Sequence, residues 1–204
     1  MKRVLGVVAL AAAALFAAPS AHAQQATGWY GAGSLGYLQL RDNDFSTGGF
    51  SGHTEYDAGV AATLAGGYAF GNGFRAELEG GYGHSSFDSL TVNGTKFSAS
   101  GDIDLWSVYA AGYYDFTVSN VKPYIGGGLG WVHSDVGRTT TGGVTTPGGD
   151  DDNWSWFAEG GVSFALNDRM DIVPAVRYIW IDNASGGFDK DEAWLFKVGL
   201  RYRF

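Results

Sequence analysis

Phe74-Arg75-Ala76-Glu77-Leu78-Glu79-Gly80-Gly81-Tyr82 and Trp194-Leu195-Phe196-Lys197-Val198-Gly199-Leu200-Arg201-Tyr202-Arg203-Phe204 alternate residue by residue between two kinds of side chain. In the first, Phe74, Ala76, Leu78, Gly80 and Tyr82 fall on one side, and Arg75, Glu77, Glu79 and Gly81 on the other. In the second, Trp194, Phe196, Val198, Leu200, Tyr202 and Phe204 oppose Leu195, Lys197, Gly199, Arg201 and Arg203. Successive strand side chains point to opposite faces, so both stretches read as sharply two-faced β-strands.

The same period runs through the chain, and no stretch shows convincing helical periodicity. Segments 29–40, 58–70, 103–116, 123–133, 154–166 and 170–180 follow it, which makes eight strands. Segments 29–37 and 123–131 also resemble each other. Gly71-Asn72-Gly73, residues 117–122 and Asn167-Asp168-Arg169 read as short turns, and Asn-Gly suits a tight hairpin. The stretches 41–57, 84–102, 133–153 and 182–192 are long and polar, and read as loops. Short and long connections in alternation imply an up-and-down arrangement, with turns at one end and loops at the other. Pro174 falls inside a strand and removes a ladder donor, which implies either a bulge or a strand placed a few residues off.

Two closed architectures fit eight such strands. A soluble barrel puts the apolar face inside, whereas a transmembrane barrel turns it toward lipid. Aromatic residues gather at strand ends, as in Trp29 with Tyr37, Phe74 with Tyr82, and Trp194 with Tyr202 and Phe204. That spacing suits two girdles flanking an apolar band about 25 Å tall. The polar face carries Glu77, Glu79, Asp115, Glu159 and Asp171 against Arg75, Arg177, Lys197, Arg201 and Arg203, five acids to five bases. Mutual neutralisation is what enclosed charges require. The expectation is therefore an all-β, eight-stranded antiparallel up-and-down transmembrane barrel with a salt-bridged interior.

Composition removes other classes. The chain has 204 residues, no cysteine, 33 glycines and 15% aromatic residues. Disulfide scaffolds and zinc-cysteine sites are excluded. A net charge of -8 disfavours nucleic acid as a partner. Residues 1–23 carry Lys2 and Arg3, then an uncharged run from Val4 to Ala18 and the triplet Ala21-His22-Ala23. This is the pattern of a secretory signal peptide, leaving 24–204 as the barrel domain. The stretches read as loops, with Asp104 just past the second, hold fifteen acidic and four basic residues, so the acidity gathers at one end.

The start Gly28-Trp29-Tyr30 with Gly31, Gly33 and Gly36, the middle Pro123-Tyr124-Ile125-Gly126-Gly127-Gly128-Leu129-Gly130, and the end Val198-Gly199-Leu200-Arg201-Tyr202-Arg203-Phe204 resemble the small outer-membrane β-barrels of the OmpA-type and Opa-type porin family. The resemblance covers the chain after residue 23. It implies export to a Gram-negative periplasm and insertion into the outer membrane. It implies as partners the outer-membrane lipid and lipopolysaccharide, periplasmic chaperones and the barrel-assembly machinery, with Val198, Leu200, Tyr202 and Phe204 resembling the assembly signal. The periplasmic peptidoglycan-binding domain of larger members is not expected here.

Asp150-Asp151-Asp152 is the densest acidic cluster and a weak metal-binding candidate, since it lacks the ligand spacing of a calcium loop. No cofactor is expected. His133-Ser134 and His84-Ser85 are adjacent, so each pair splits across the two faces of a strand, and His53 lies among Gly, Ser and Thr. Gly-x-Ser-x-Gly is absent, and enzymatic activity is not expected. The functional expectation is an envelope-integrity or surface-adhesion role through acidic loops contacting a host or cell-surface ligand. The alternative is a narrow porin-like channel.

Overall fold

The structure is a computed structural model that describes residues 27–40, 43–47, 50–55, 59–92, 95–116, 121–141, 144–182 and 191–204. Residues 1–23, read as a signal peptide, lie outside the described residues. Twelve strands follow in chain order: β1 (Thr27–Leu40), β2 (Asn43–Thr47), β3 (Phe50–Glu55), β4 (Gly59–Phe70), β5 (Phe74–Val92), β6 (Thr95–Asp115), β7 (Val121–Val136), β8 (Thr139–Thr141), β9 (Val144–Thr146), β10 (Gly149–Ala165), β11 (Met170–Asp182) and β12 (Asp191–Arg203).

Eight of them close a cylinder. Around the ring, β1 pairs with β4, β4 with β5, β5 with β6, β6 with β7, β7 with β10, β10 with β11, β11 with β12, and β12 with β1, all antiparallel. This is the expected eight-stranded up-and-down barrel. The turn end is tightly tied. Gly71 and Gly73 have φ of 75° and 95°, and the Asn72 side chain accepts the Phe74 N–H at 3.1 Å. Asn167 Oδ1 likewise accepts from the N–H groups of Arg169 and Met170, both at 2.9 Å. Such Asn side chains stand in for a backbone turn.

The orientation of the faces is unambiguous. Leu64 is 76% exposed and Arg177 1%. In five strands two outward aromatics stand eight residues apart: Trp29 and Tyr37, Phe74 and Tyr82, Trp106 and Tyr114, Trp156 and Phe164, Trp194 and Tyr202. Eight residues of strand span about 26 Å along the strand, or about 20 Å along the axis at a tilt of about 40°, so the two rings of aromatics flank an apolar band of roughly membrane height.

The sequence reading needs three corrections. The segments 41–57, 84–102 and 133–153 are largely strand. β5 and β6 run 19 and 21 residues, about twice the length needed to cross a bilayer, and continue outward as one hairpin. β3 pairs with the outer part of β5, and β8 with that of β6, so β2-β3-β5-β6-β8-β9 forms an open sheet above the ring. Residues 183–190, within the stretch read as the last loop, lie outside the described residues. Secondly, Pro174 marks neither a bulge nor a misplaced strand. The β10–β11 ladder omits Val173 and Pro174 and resumes in the same register, while both pair normally with β12. Thirdly, the outer half of the interior is apolar. Leu38, Ala193 and Leu195 cluster there with Leu105 and Ile179 packed against them.

Candidate functional site

Strand parity alone sends Glu79 of β5, Glu159 of β10, Arg177 of β11 and Lys197 of β12 to the axis of the cylinder. There they form one set. Arg177 Nη1 donates to Glu79 at 2.5 Å, Arg177 Nε to Glu159 at 2.7 Å, and Lys197 Nζ lies 3.3 Å from Glu79 and 2.9 Å from Glu159. The Arg177 guanidinium also lies over the Phe157 ring at 3.7 Å. Two acids and two bases neutralise each other at mid-height, each with several partners, which makes their enclosure tolerable.

Toward the turns a second layer follows. Arg75 Nε donates to Asp115 at 2.8 Å, and Nη1 approaches Glu77 at 3.4 Å. Arg203 pairs with Asp171. Arg201 joins no ion pair among the described residues; it faces the Tyr30 and Tyr124 rings at 5.4 and 6.0 Å. Thus all ten charged residues assigned to the interior face it, and nine of them meet in ion pairs.

Of the interior tyrosines, Tyr109 was expected on the inner face, and Tyr30, Tyr113 and Tyr124 were not anticipated. Tyr30 donates to Glu77 at 2.7 Å and Tyr124 to Glu159 at 2.8 Å. They occupy matching positions in the two similar segments 29–37 and 123–131, the one signal that could have found them. Glycine on a neighbouring strand makes room: a Cβ at Gly161 would lie 2.6 Å from the Tyr124 ring, and one at Gly126 2.1 Å from Tyr113.

Among the described residues, cavities of about 50, 40 and 50 Å³ follow one another along the axis from the turn end outward. Arg75 and Arg201 line both the first and the second. The third is walled mainly by apolar residues, including Leu38, Leu105, Val132, Ile179 and Leu195.

Outside the ring and beyond the outer girdle, two similar arrangements stand on the lipid-facing side. Asp104 accepts from Tyr82 Oη at 2.6 Å and from His84 Nδ1 at 2.8 Å. Asp152 accepts from Trp131 Nε1 at 3.0 Å and from His133 Nδ1 at 2.8 Å. The bond to Asp152 raises the pKa of His133, and the donors Trp131 and His133 lower that of Asp152. Ser85 is buried on the inner face while His84 is half exposed on the outer one. Asp150, Asp151 and Asp152 are consecutive residues of β10, so their side chains diverge. No group of three or more His, Asp or Glu residues suited to a metal occurs among the described residues. Val198, Leu200, Tyr202 and Phe204 form an exposed outward row on and just beyond β12.

The family model described as "Outer membrane protein beta-barrel domain" matches residues 8–204. The chain belongs to this family. It is an outer membrane β-barrel protein. An outer membrane protein of Gluconacetobacter diazotrophicus is 25% identical over 184 residues, covering 76% of this chain and 49% of that protein, so the chain spans about half the length of this curated relative. Among solved structures, Neisserial surface protein A superposes with a TM-score of 0.61 at 22% identity, covering 87% of this chain and 97% of that one. OprG of Pseudomonas aeruginosa also gives 0.61, at 18% identity, covering 89% and 97%. Ail, the attachment invasion locus protein of Yersinia pestis, solved with the heparin analogue sucrose octasulfate, gives 0.51 at 17% identity, covering 87% and 99%. These similarities establish the barrel fold.

Proposed function

We propose that this outer membrane barrel is a non-conducting surface-contact protein, a membrane-anchored platform for a basic ligand on a host or another cell. The carrying observation is the outward extension of β5 and β6 far beyond the girdle, within an open sheet, above a cylinder crossed by ion pairs. The chemistry of that end supports a cationic partner. Beyond the outer girdle, the described side chains include Asp102, Asp104, Asp135, Asp150, Asp151, Asp152, Asp182 and Glu192 against Arg138. A field of that sign attracts basic proteins and repels polyanions. Ail's sulfated ligand is therefore the wrong class for this chain. The apolar band would contact outer-membrane lipid and lipopolysaccharide. Val198, Leu200, Tyr202 and Phe204 would engage periplasmic chaperones and the assembly machinery. The alternation that separates His84 from Ser85 and His133 from Ser134 supports a non-enzymatic role.

The test replaces residues 87–100 with a two-residue Asn-Gly turn. The shortened protein should fold and insert, yet lose adherence to cells and matrix proteins. Intact protein should bind cationic protein in a salt-sensitive way and ignore sucrose octasulfate. Unchanged adherence after the deletion defeats the proposal.

A second reading, a narrow channel, is favoured by the three cavities in series. Refolded protein in planar bilayers decides: silence supports the contact role, and steady single-channel steps support the channel.

A further inference from the structure

Ion pairing is not complete along the axis. The middle layer is closed, with Glu79 and Glu159 each held by Arg177 and Lys197. The layer toward the turns is not. The cavity there, about 50 Å³, is lined by Arg75, Arg201 and Arg203 with Asp115 and Asp171, and by Lys122 near the start of β7. With Glu77 just above it the three arginines face three carboxylates, yet the pairs formed leave one arginine out.

The unmet pairing falls on particular atoms. Arg201 is 8% exposed and has no carboxylate partner among the described residues. Asp171 is its cross-strand neighbour, but the Asp171 ion pair runs to Arg203. Arg75 is 4% exposed, and its Nη2 is buried without a hydrogen-bond partner. Tyr30 accepts from Arg75 Nη1 at 3.1 Å while donating to Glu77, and Tyr124 donates to Glu159, but neither tyrosine supplies a negative charge to the two guanidiniums. A guanidinium can give hydrogen bonds but accept none, and a buried cation without a counter-charge is costly. Water can satisfy the N–H groups but not the charge. Arg75 and Arg201 line both this cavity and the next, of about 40 Å³, so both border the same space. A water occupies about 10–15 Å³ on this measure, so the chamber has room for a small oxyanion but not for a nucleotide or a lipid headgroup.

We infer that the turn-end chamber is a binding site for one small oxyanion, inorganic phosphate or a short carboxylate, gripped by Arg201 and the free Nη2 of Arg75. The planar guanidinium fork suits both anions. The assignment does not depend on whether the outer end contacts a partner or the barrel conducts.

The experiment titrates inorganic phosphate, and separately acetate, into barrel refolded in neutral detergent at fixed ionic strength. Calorimetry and 31P line broadening provide the two readouts. One saturable site is expected. Arg201→Gln should weaken it by about tenfold or more, the usual loss for a charge-assisted hydrogen-bonding partner. Arg169→Gln, in the exposed turn outside the chamber, should leave it unchanged. If Arg201→Gln does not refold, as judged by the heat-dependent gel shift, Arg201→Lys replaces it and should bind more weakly than wild type while retaining one site. Preference for phosphate or for acetate identifies the source of the anion. Absence of saturable binding by either anion, or equal affinity in the Arg201 variant, overturns the inference.

Discussion

Glu79 and Arg177 lie 98 residues apart in the chain and meet at 2.5 Å in the middle of the molecule. Removing one partner strands the others without compensation. Arg177→Leu should therefore cost about 3–5 kcal/mol, read as a lowered urea midpoint of the refolded barrel. Gly161→Ala places a Cβ against the Tyr124 ring and should cost about 1–3 kcal/mol in the same assay. The identity of the enclosed charges was legible in the sequence because parity depends only on counting by two. Their partners were not, because pairing across the lumen depends on strand tilt and stagger. Tyr30, Tyr113 and Tyr124 were missed for a related reason. An aromatic residue suits a girdle or an interior equally well, so residue type does not assign its face; the parity shared with Asp115 for Tyr113 and the match of segments 29–37 and 123–131 for Tyr30 and Tyr124 were the available signals.

The membrane-crossing parts of the strands were readable because one face meets lipid and the other does not. Above the girdle that contrast disappears. With water available to both faces of the extended hairpins, selection for alternating polarity relaxes, and residues 84–92 and 95–102 look like a loop although they are strand. The hairpin β7–β10 carries a pH-dependent element. His133 is raised above its ordinary value by its bond to Asp152, so that pair contributes fully below about pH 6.5 and is lost as pH rises through the higher folded value. Asp152 is lowered by Trp131 and His133, so its contribution is present above the ordinary carboxylate value and is lost as pH falls through the lower one. Both groups are solvent-exposed, so the effect should be small. Asp152→Asn should return the His133 titration, followed by NMR, toward that of a free histidine.

For the whole molecule, the decisive property is the inversion of grease and charge between outside and inside. Leu64→Arg puts a cation on the lipid face near the middle of the band, and should cost about 2–4 kcal/mol when unfolding is measured in liposomes. In a soluble barrel the same exposed position would accept Arg with little effect. Fold class, strand number and orientation could all be read from the sequence, because each follows from short-range periodicity. The upper sheet, the apolar cluster of the outer lumen and the unpaired Arg201 could not, because each depends on which strands become neighbours.

The mid-height ion pairs also dictate an order of events. Glu79 arrives with the third strand of the ring, whereas Arg177 and Lys197 arrive with the last two. A partly zippered sheet would hold Glu79 and Glu159 as bare anions facing a forming lumen. Intermediates missing the final strands are thereby penalised, and insertion becomes a concerted step in which the C-terminal hairpin both seals the seam with β1 and discharges the accumulated electrostatic debt.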